Sequence, residues 1–274
     1  MKILIIGAKG TLGQALVQEF SNHEVLAWDR EEIDITDLEA TSQKLKAEKP
    51  DIIINAAAMT DVDACETNIA AAQKLNGDAP KHLAQLANEL DATLVQYSTS
   101  YIFDGSSKDG YAEGATPHPI SVYGQTKLSG EHSAMLARKH YILRLDRLFG
   151  RSGGGKKSFV DKMLEATATK KKLSMIDDEE GNPTYAPDIA ARTRYILENK
   201  LPYGIYHTTN EGSCSWYEWA KEIFKIRGIA VELVRAHVAD FPRKAKRPQY
   251  AHLINTKLPP MRSWQAALKE YLAS

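Results

Sequence analysis

Tyr123 and Lys127 stand four residues apart in a stretch, residues 122–138, whose pattern predicts a helix, so both side chains project from one face into the same space. A phenol with its ordinary pKa near ~10 exchanges protons poorly at neutral pH. An ammonium beside it favours the phenolate and lowers that pKa. The spacing therefore predicts a tuned proton donor. Upstream, Gln96-Tyr97-Ser98-Thr99-Ser100-Tyr101 closes a predicted strand, and a hydroxyl at that point can donate to a carbonyl oxygen as it becomes an alkoxide. Alone, a tyrosine and a lysine at this spacing are common on solvated helices. The hydroxyl, and a glycine loop at the start of the chain, turn the pair toward carbonyl chemistry.

That loop is Gly7-Ala8-Lys9-Gly10-Thr11-Leu12-Gly13. It follows a short apolar run, residues 1–7, and precedes a helical pattern through Leu16, Val17 and Phe20, the strand–loop–helix setting in which glycines cradle a dinucleotide. Gly7 permits the tight turn, Gly10 lets the backbone approach a pyrophosphate, and Gly13 lets the helix pack closely, while the helix start supplies N–H donors and positive potential. Asp29 ends the second predicted strand, where a carboxylate accepts from an adenosine ribose and repels a 2′-phosphate; Arg30 beside it attracts that phosphate. The two signals oppose each other, and the expectation is NADP(H) or NAD(H) with a lean to NADPH.

The elements that must position these groups alternate. Strands are predicted at residues 24–28, 51–55, 93–98 and 141–145, with helices at 36–48 and 79–90 between them. Continuous apolar strands between helices predict a parallel sheet covered on both faces, hence an α/β, Rossmann-type, doubly wound fold with its crevice beyond the carboxyl ends of the strands. Residues 1–150 are expected to form the dinucleotide-binding domain. After that the elements shorten and are broken by Pro183, Pro187, Pro202, Pro242, Pro248 and Pro259-Pro260, so residues 151–274 are expected to be mainly a smaller substrate-binding lobe, with some segments returning to the Rossmann core. Gly153-Gly154-Gly155-Lys156-Lys157 reads as a flexible basic loop. Arg243, Lys244, Lys246 and Arg247 read equally as a solvated loop or a phosphate clamp, and Asp177-Asp178-Glu179-Glu180 as a solvated acidic loop.

Composition narrows the classes. Lysine plus arginine and aspartate plus glutamate both number 35, so no overall field exists to hold a nucleic acid polymer or an anionic membrane. Two cysteines, Cys65 and Cys214, lie far apart and outside any metal or disulfide spacing, and the histidines form no ligand pattern, so no metal is expected. With no apolar stretch approaching the ~20 residues of a membrane span, the expected place is the cytoplasm.

A resemblance becomes specific at residues 98–105, Ser-Thr-Ser-Tyr-Ile-Phe-Asp-Gly, and 122–131, Val-Tyr-Gly-Gln-Thr-Lys-Leu-Ser-Gly-Glu. These segments, with Asn55-Ala56-Ala57-Ala58-Met59-Thr60, Gly181-Asn182-Pro183-Thr184-Tyr185, Gly204-Ile205-Tyr206-His207, Ser215-Trp216 and Arg247-Pro248, resemble the dTDP-4-dehydrorhamnose reductases, a branch of the extended short-chain dehydrogenases, over essentially the whole chain. The glycine spacing is the form that superfamily uses. The resemblance implies that Thr99 polarises a sugar ketone, Tyr123 protonates it, Lys127 tunes Tyr123, and a hydride comes from C4 of the nicotinamide. It further implies that Asp34, Ile35, Ala56, Ala57 and Ala58 lie on the adenine side and sheet edge of the cofactor. Tyr101, Phe103, Arg147 and Arg247 are implied to contact a nucleotide-sugar substrate, and the product to be a deoxysugar for surface polysaccharide. Assembly as a homodimer is compatible with this reading.

Two departures stand out. Where the family usually has Ser-Thr-Asp-Tyr, this chain has Ser100 in place of the aspartate; where it usually has Arg-Thr-Ser-Trp, this chain has Arg144-Leu145-Asp146-Arg147. Arg147, standing where the family places a tryptophan, must pair within the protein or meet an anionic substrate group, and Asp146 is an unpromising partner because adjacent strand residues face opposite ways. Two other functions remain open: a nucleotide-sugar 4-epimerase, which needs only the same hydroxyl, tyrosine and lysine, and a non-catalytic regulatory subunit of the kind represented by the methionine adenosyltransferase β subunit. Retention of Thr99, Tyr123 and Lys127 counts against the latter.

Overall fold

The computed structural model describes residues 1–153, 155 and 157–273. Of the expected basic loop at 153–157, Gly154 and Lys156 lie outside the described residues. The first half runs β1 (Lys2–Ile6), α1 (Thr11–Glu19), β2 (Glu24–Trp28), α2 (Leu38–Glu48), β3 (Ile52–Asn55), α3 (Val62–Thr67), α4 (Ile69–Gln73), a π-helical turn (Lys74–Asp78), α5 (Ala79–Leu90), β4 (Thr93–Thr99), α6 (Val122–Ala134) and β5 (His140–Leu145). The second half adds β6 (Leu148–Phe149), α7 (Phe159–Thr169), β7 (Lys172–Ile176), β8 (Glu180–Gly181), β9 (Thr184–Tyr185), α8 (Ala186–Glu198), β10 (Gly204–His207), β11 (Cys214–Ser215), α9 (Trp216–Arg227), β12 (Glu232–Ala236) and α10 (Trp264–Ala273).

Six parallel strands form the main sheet in the order β10-β5-β4-β3-β1-β2. The winding reverses at β1, between β2 and β3, which opens a crevice there. Alternate residues of β1 explain why both faces are covered: Ile3 and Ile5 pack with Leu12 and Leu16 of α1 and Ile189 of α8, while Leu4 and Ile6 pack with Leu45 of α2 and Leu83 of α5. Thus β10 and α8, from the second half of the chain, complete the Rossmann layer. The remaining elements gather around a separate apolar cluster containing Phe149, Trp219, Phe224 and Trp264, bordered by the parallel pair β7–β12.

Local chemistry sets the ends of the site-bearing helices. Ser121 caps α6 by accepting from Gly124 N at 3.2 Å, and Ser215 with Glu218 closes a capping box on α9. The helix expected over 122–138 stops at Ala134, and α3, α4 and the π turn were not foreseen, because their short pieces carry no sustained period. The acidic run at 177–180 is also not the solvated loop expected. Asp177 accepts from Ser215 Oγ and pairs with Arg235, Asp178 accepts from Val238 N, and Glu179 is buried against Arg243 and Trp216 Nε1.

Candidate active site

A cleft of about 1050 Å³ begins at the β1–α1 loop and ends between β4, α6 and the starts of α7 and α9. Its walls include Gly7, Gly10, Thr11, Leu12, Gly13, Asp29, Arg30, Asp34, Ile35, Ala56, Ala57, Ala58, Thr99, Tyr101, Tyr123, Lys127 and Arg147.

The loop at its head is tight for identifiable reasons. Gly7 has φ +80°, and a Cβ there would lie 2.8 Å from Ala57 N; one on Gly13 would lie 2.0 Å from Gly7 O. The turn from β1 is thereby pressed against the turn from β3 and beneath the start of α1. That second turn is held by Asn55, which donates to Gln96 Oε1 and accepts from Ala57 N, so the small residues at 56–58 lie against the glycine loop. The N-terminus of α1 is capped by Gly10, without a side-chain hydrogen bond and with no acidic residue in its first turn. Its N–H donors remain available to an anion, as a dinucleotide pyrophosphate requires. The residues present fit that cofactor.

Asp29 receives Lys9 N at 2.9 Å and Arg30 N at 2.8 Å, so its carboxylate braces the loop. Lys9 pairs with Glu31, and Arg30 is exposed on the cleft wall. Asp34 accepts from the amide and hydroxyl of Thr36, which hold its carboxyl below the usual range.

At the far end, β4 delivers Thr99 and α6 delivers Tyr123 and Lys127. Gly124 makes this approach possible, since a Cβ on it would sit 2.2 Å from Tyr101 O. The Tyr123 phenol and the Thr99 hydroxyl share the cleft wall, and the Tyr101 and Tyr123 rings meet edge to face at 5.7 Å. Lys127 is 5% exposed and its Nζ donates to Tyr97 O at 2.6 Å. Burial lowers its pKa to about 8. For Tyr123 the structure corrects the expectation: burial raises the phenol's pKa, opposed only in part by Thr99, whereas a lowering by Lys127 was foreseen. Lys127 directs its proton at a backbone carbonyl, and Tyr123 is held as the neutral phenol, the form that donates.

Three residues to which the sequence assigned no role support this end. Asn76, in the π turn, donates to Met59 O and Thr126 Oγ1 and accepts from Met59 N, tying a cleft-lining loop to α6; π turns of this kind often mark functional sites, but no residue pattern announced it. The buried pair Arg144–Glu131, at 2.8 Å, fastens β5 to the same helix.

The residues expected to touch substrate divide. Tyr101 and Arg147 line the cleft. Phe103 does not: it is fully buried, stacked on Tyr111 at 4.3 Å and covered by the Arg144 guanidinium, so it is a core residue fixed by packing. Arg247 pairs with Asp63 at 2.7 Å, which holds that carboxyl down at about 2, and Arg243 pairs with Glu179, so both arginines of the basic cluster are engaged within the protein. Arg147 follows the first of its two foreseen alternatives. Its guanidinium donates to Cys214 O at 2.7 Å and Glu179 O at 2.9 Å and lies 4.1 Å from the Trp216 ring centroid. Its φ of +36° also removes the premise that Asp146 must point away, because a residue in the left-handed region breaks strand alternation. Both side chains converge on the space beside Gly181. Among the described residues no group of three or more histidine, cysteine, aspartate or glutamate side chains could hold a metal, and no helix is long and apolar enough to cross a membrane.

A doubly wound sheet whose crevice joins a glycine-loop helix start to a threonine, tyrosine and lysine defines an extended short-chain dehydrogenase/reductase, an NAD(P)-dependent oxidoreductase fold acting at a carbonyl. The family model described as the RmlD substrate binding domain matches residues 1–274. A probable dTDP-4,6-dihydroxy-2-methyloxan-3-one 4-ketoreductase of Streptomyces antibioticus is 38% identical over 98% of this chain and 94% of its own length. A dTDP-4-dehydrorhamnose reductase from Clostridium acetobutylicum superposes with a TM-score of 0.95 at 39% identity, covering 100% of this chain and 99% of that one. Another, from Bacillus anthracis in complex with NADP, also gives 0.95, at 31% identity over 99% and 98%. The chain belongs to the dTDP-4-dehydrorhamnose reductase family.

Proposed function

We propose that this protein uses NAD(P)H to reduce the ketone of a nucleotide-linked 4-keto-6-deoxysugar, supplying a precursor of surface polysaccharide. The observation that carries the reading is the meeting of Thr99, Tyr123 and Lys127 in one cleft with a helix start that no side chain caps at its other end. The bound nicotinamide would supply the hydride. In this reading Thr99 Oγ1 donates to the ketone oxygen, and the Tyr123 phenol, whose pKa burial raises, delivers the proton that turns the forming alkoxide into a carbinol. Lys127 places a cation behind Tyr123, anchored on the strand that carries Thr99.

A lean to NADPH is supported by the engagement of Asp29 with backbone amides beside the exposed Arg30, which leaves a cation rather than a free carboxylate toward a 2′-phosphate. The experiment is a panel of nucleotide-linked 4-keto-6-deoxysugars with NADPH or NADH, followed by loss of reduced-cofactor absorbance. Stoichiometric consumption of reduced cofactor supports the reading. Product formation without cofactor consumption would mean epimerisation instead.

A further inference from the structure

One carboxylate in this cleft is unused by the chemistry above. Asp146, just past β5, is 3% exposed and lines the cleft near Tyr123 and Arg147. Ser100 Oγ donates to Oδ1 at 2.8 Å, Asn182 N donates to Oδ2 at 2.8 Å, the Arg147 amide donates as well, and the Arg147 cation beside it favours the ionised form. Two carboxylate oxygens offer about four acceptor sites, so these three donors leave one over on a residue that lines the cleft. The nearest cation, on Arg147, has committed N–H groups to Cys214 O and Glu179 O. Burial still outweighs these partners and raises the carboxyl's pKa, so the carboxylate is costly to keep without a further donor. Its bond to Ser100, the neighbour of Thr99, places it at the reacting end rather than the nucleotide end. Ser100 and Asp146 are, moreover, both positions where this chain departs from the family pattern. Serine stands at the end of β4 and aspartate at the end of β5, the reverse of what the resemblance implies, and the structure joins the two in one hydrogen bond.

We propose that Asp146 determines substrate specificity by accepting a hydrogen bond from the sugar hydroxyl on C3, the ring carbon beside the C4 ketone. The assignment rests on the ketoreductase reading above. Ser100 and Asn182 orient the carboxylate, and Arg147, stacked on Trp216, holds the wall behind it.

The test is a substrate-by-residue cycle using dTDP-4-keto-6-deoxyglucose and its 3-deoxy analogue with wild type, Asp146→Ser, Asp146→Asn and the double exchange Ser100→Asp/Asp146→Ser. Removing the hydroxyl should cost the wild type about 10- to 100-fold in kcat/KM, the range of a hydrogen bond to a charged group. The same change should cost Asp146→Ser far less, and the double exchange, which returns the carboxylate from the other strand, should regain the discrimination. NADPH affinity, read by fluorescence titration, reports that each variant is folded; should Asp146→Ser not fold, the near-isosteric Asp146→Asn takes its place. Equal losses in wild type and variants, or a double exchange as indifferent as the single one, overturn the assignment while leaving the ketoreductase reading intact. A wild type that reduces neither of these sugars nor any other 4-keto-6-deoxysugar of the panel overturns both.

Discussion

The Nζ of Lys127 and the carbonyl of Tyr97 stand 2.6 Å apart, so the lysine of α6 is anchored to the strand that presents Thr99. With its pKa lowered to about 8 by burial, Lys127 is a cation at neutral pH and loses its charge within reach of ordinary assays. We expect kcat/KM, which reports the free enzyme, to fall as pH rises through about 8. Lys127→Met should lower the plateau and remove that limb. A wild-type profile flat to pH 10 would show that the charge is not what matters.

The same group makes a signed prediction for stability. Folded Lys127 releases its proton near 8 and unfolded Lys127 near 10.5, so between these values the unfolded state binds more protons. The contribution of Lys127 to stability therefore rises with pH across that window. Urea midpoints of wild type and Lys127→Met, compared from pH 7 to pH 10.5, should diverge in the wild type's favour.

Tyr123→Phe removes the donated proton and nothing else that the cofactor needs. Turnover should drop about 100- to 10,000-fold, the range for general acid–base catalysis, with NADPH affinity close to wild type. Because burial raises the phenol's pKa, no second pH limb from Tyr123 should appear below pH 10.

The glycines of the first loop should fail in different ways. A Cβ at Gly13 meets Gly7 O at 2.0 Å, a backbone atom that cannot swing aside, so Gly13→Ala should lower stability by about 1–3 kcal/mol through overpacking. Gly10 meets only Gly7 O, at 3.2 Å, so Gly10→Leu should keep its melting temperature and lose NADPH binding, because the side chain occupies the pyrophosphate's approach. Thermal melts and cofactor titrations separate the two.

Arg147 and Arg30 carry opposite expectations. Arg147→Met leaves the Cys214 and Glu179 carbonyls without their donors and should destabilise the fold by about 1–3 kcal/mol. Arg30 is exposed and should matter only to the cofactor: Arg30→Ala should reduce kcat/KM for NADPH by about tenfold, the worth of one charge-assisted contact, and leave NADH nearly unaffected. A larger effect on NADH than on NADPH would reverse the assigned preference.

Period, spacing and residue type made much of this protein legible from its sequence. The apolar run of β1 before Gly7, Gly10 and Gly13 is a local signal, since the turn, the close backbone contact and the helix start all lie within one short segment. The four-residue spacing of Tyr123 and Lys127 is equally local, because helix geometry alone puts them on one face. The alternation of strand and helix that implies a doubly wound sheet needs no long-range knowledge either.

Tertiary structure decided what depends on neighbours distant in sequence. Whether a charge is solvated, paired or buried is such a property. Arg147 finds the carbonyls of residues 179 and 214, Arg247 finds Asp63, and the acidic run becomes a set of anchors for α9 and β12. Phe103 is a core residue because Arg144 and Tyr111 close over it. The protonation of Tyr123 is set by burial, which spacing does not encode. Even the relation of Ser100 to Asp146, two residues that read separately as departures, exists only because β4 and β5 lie side by side and end together at the cleft.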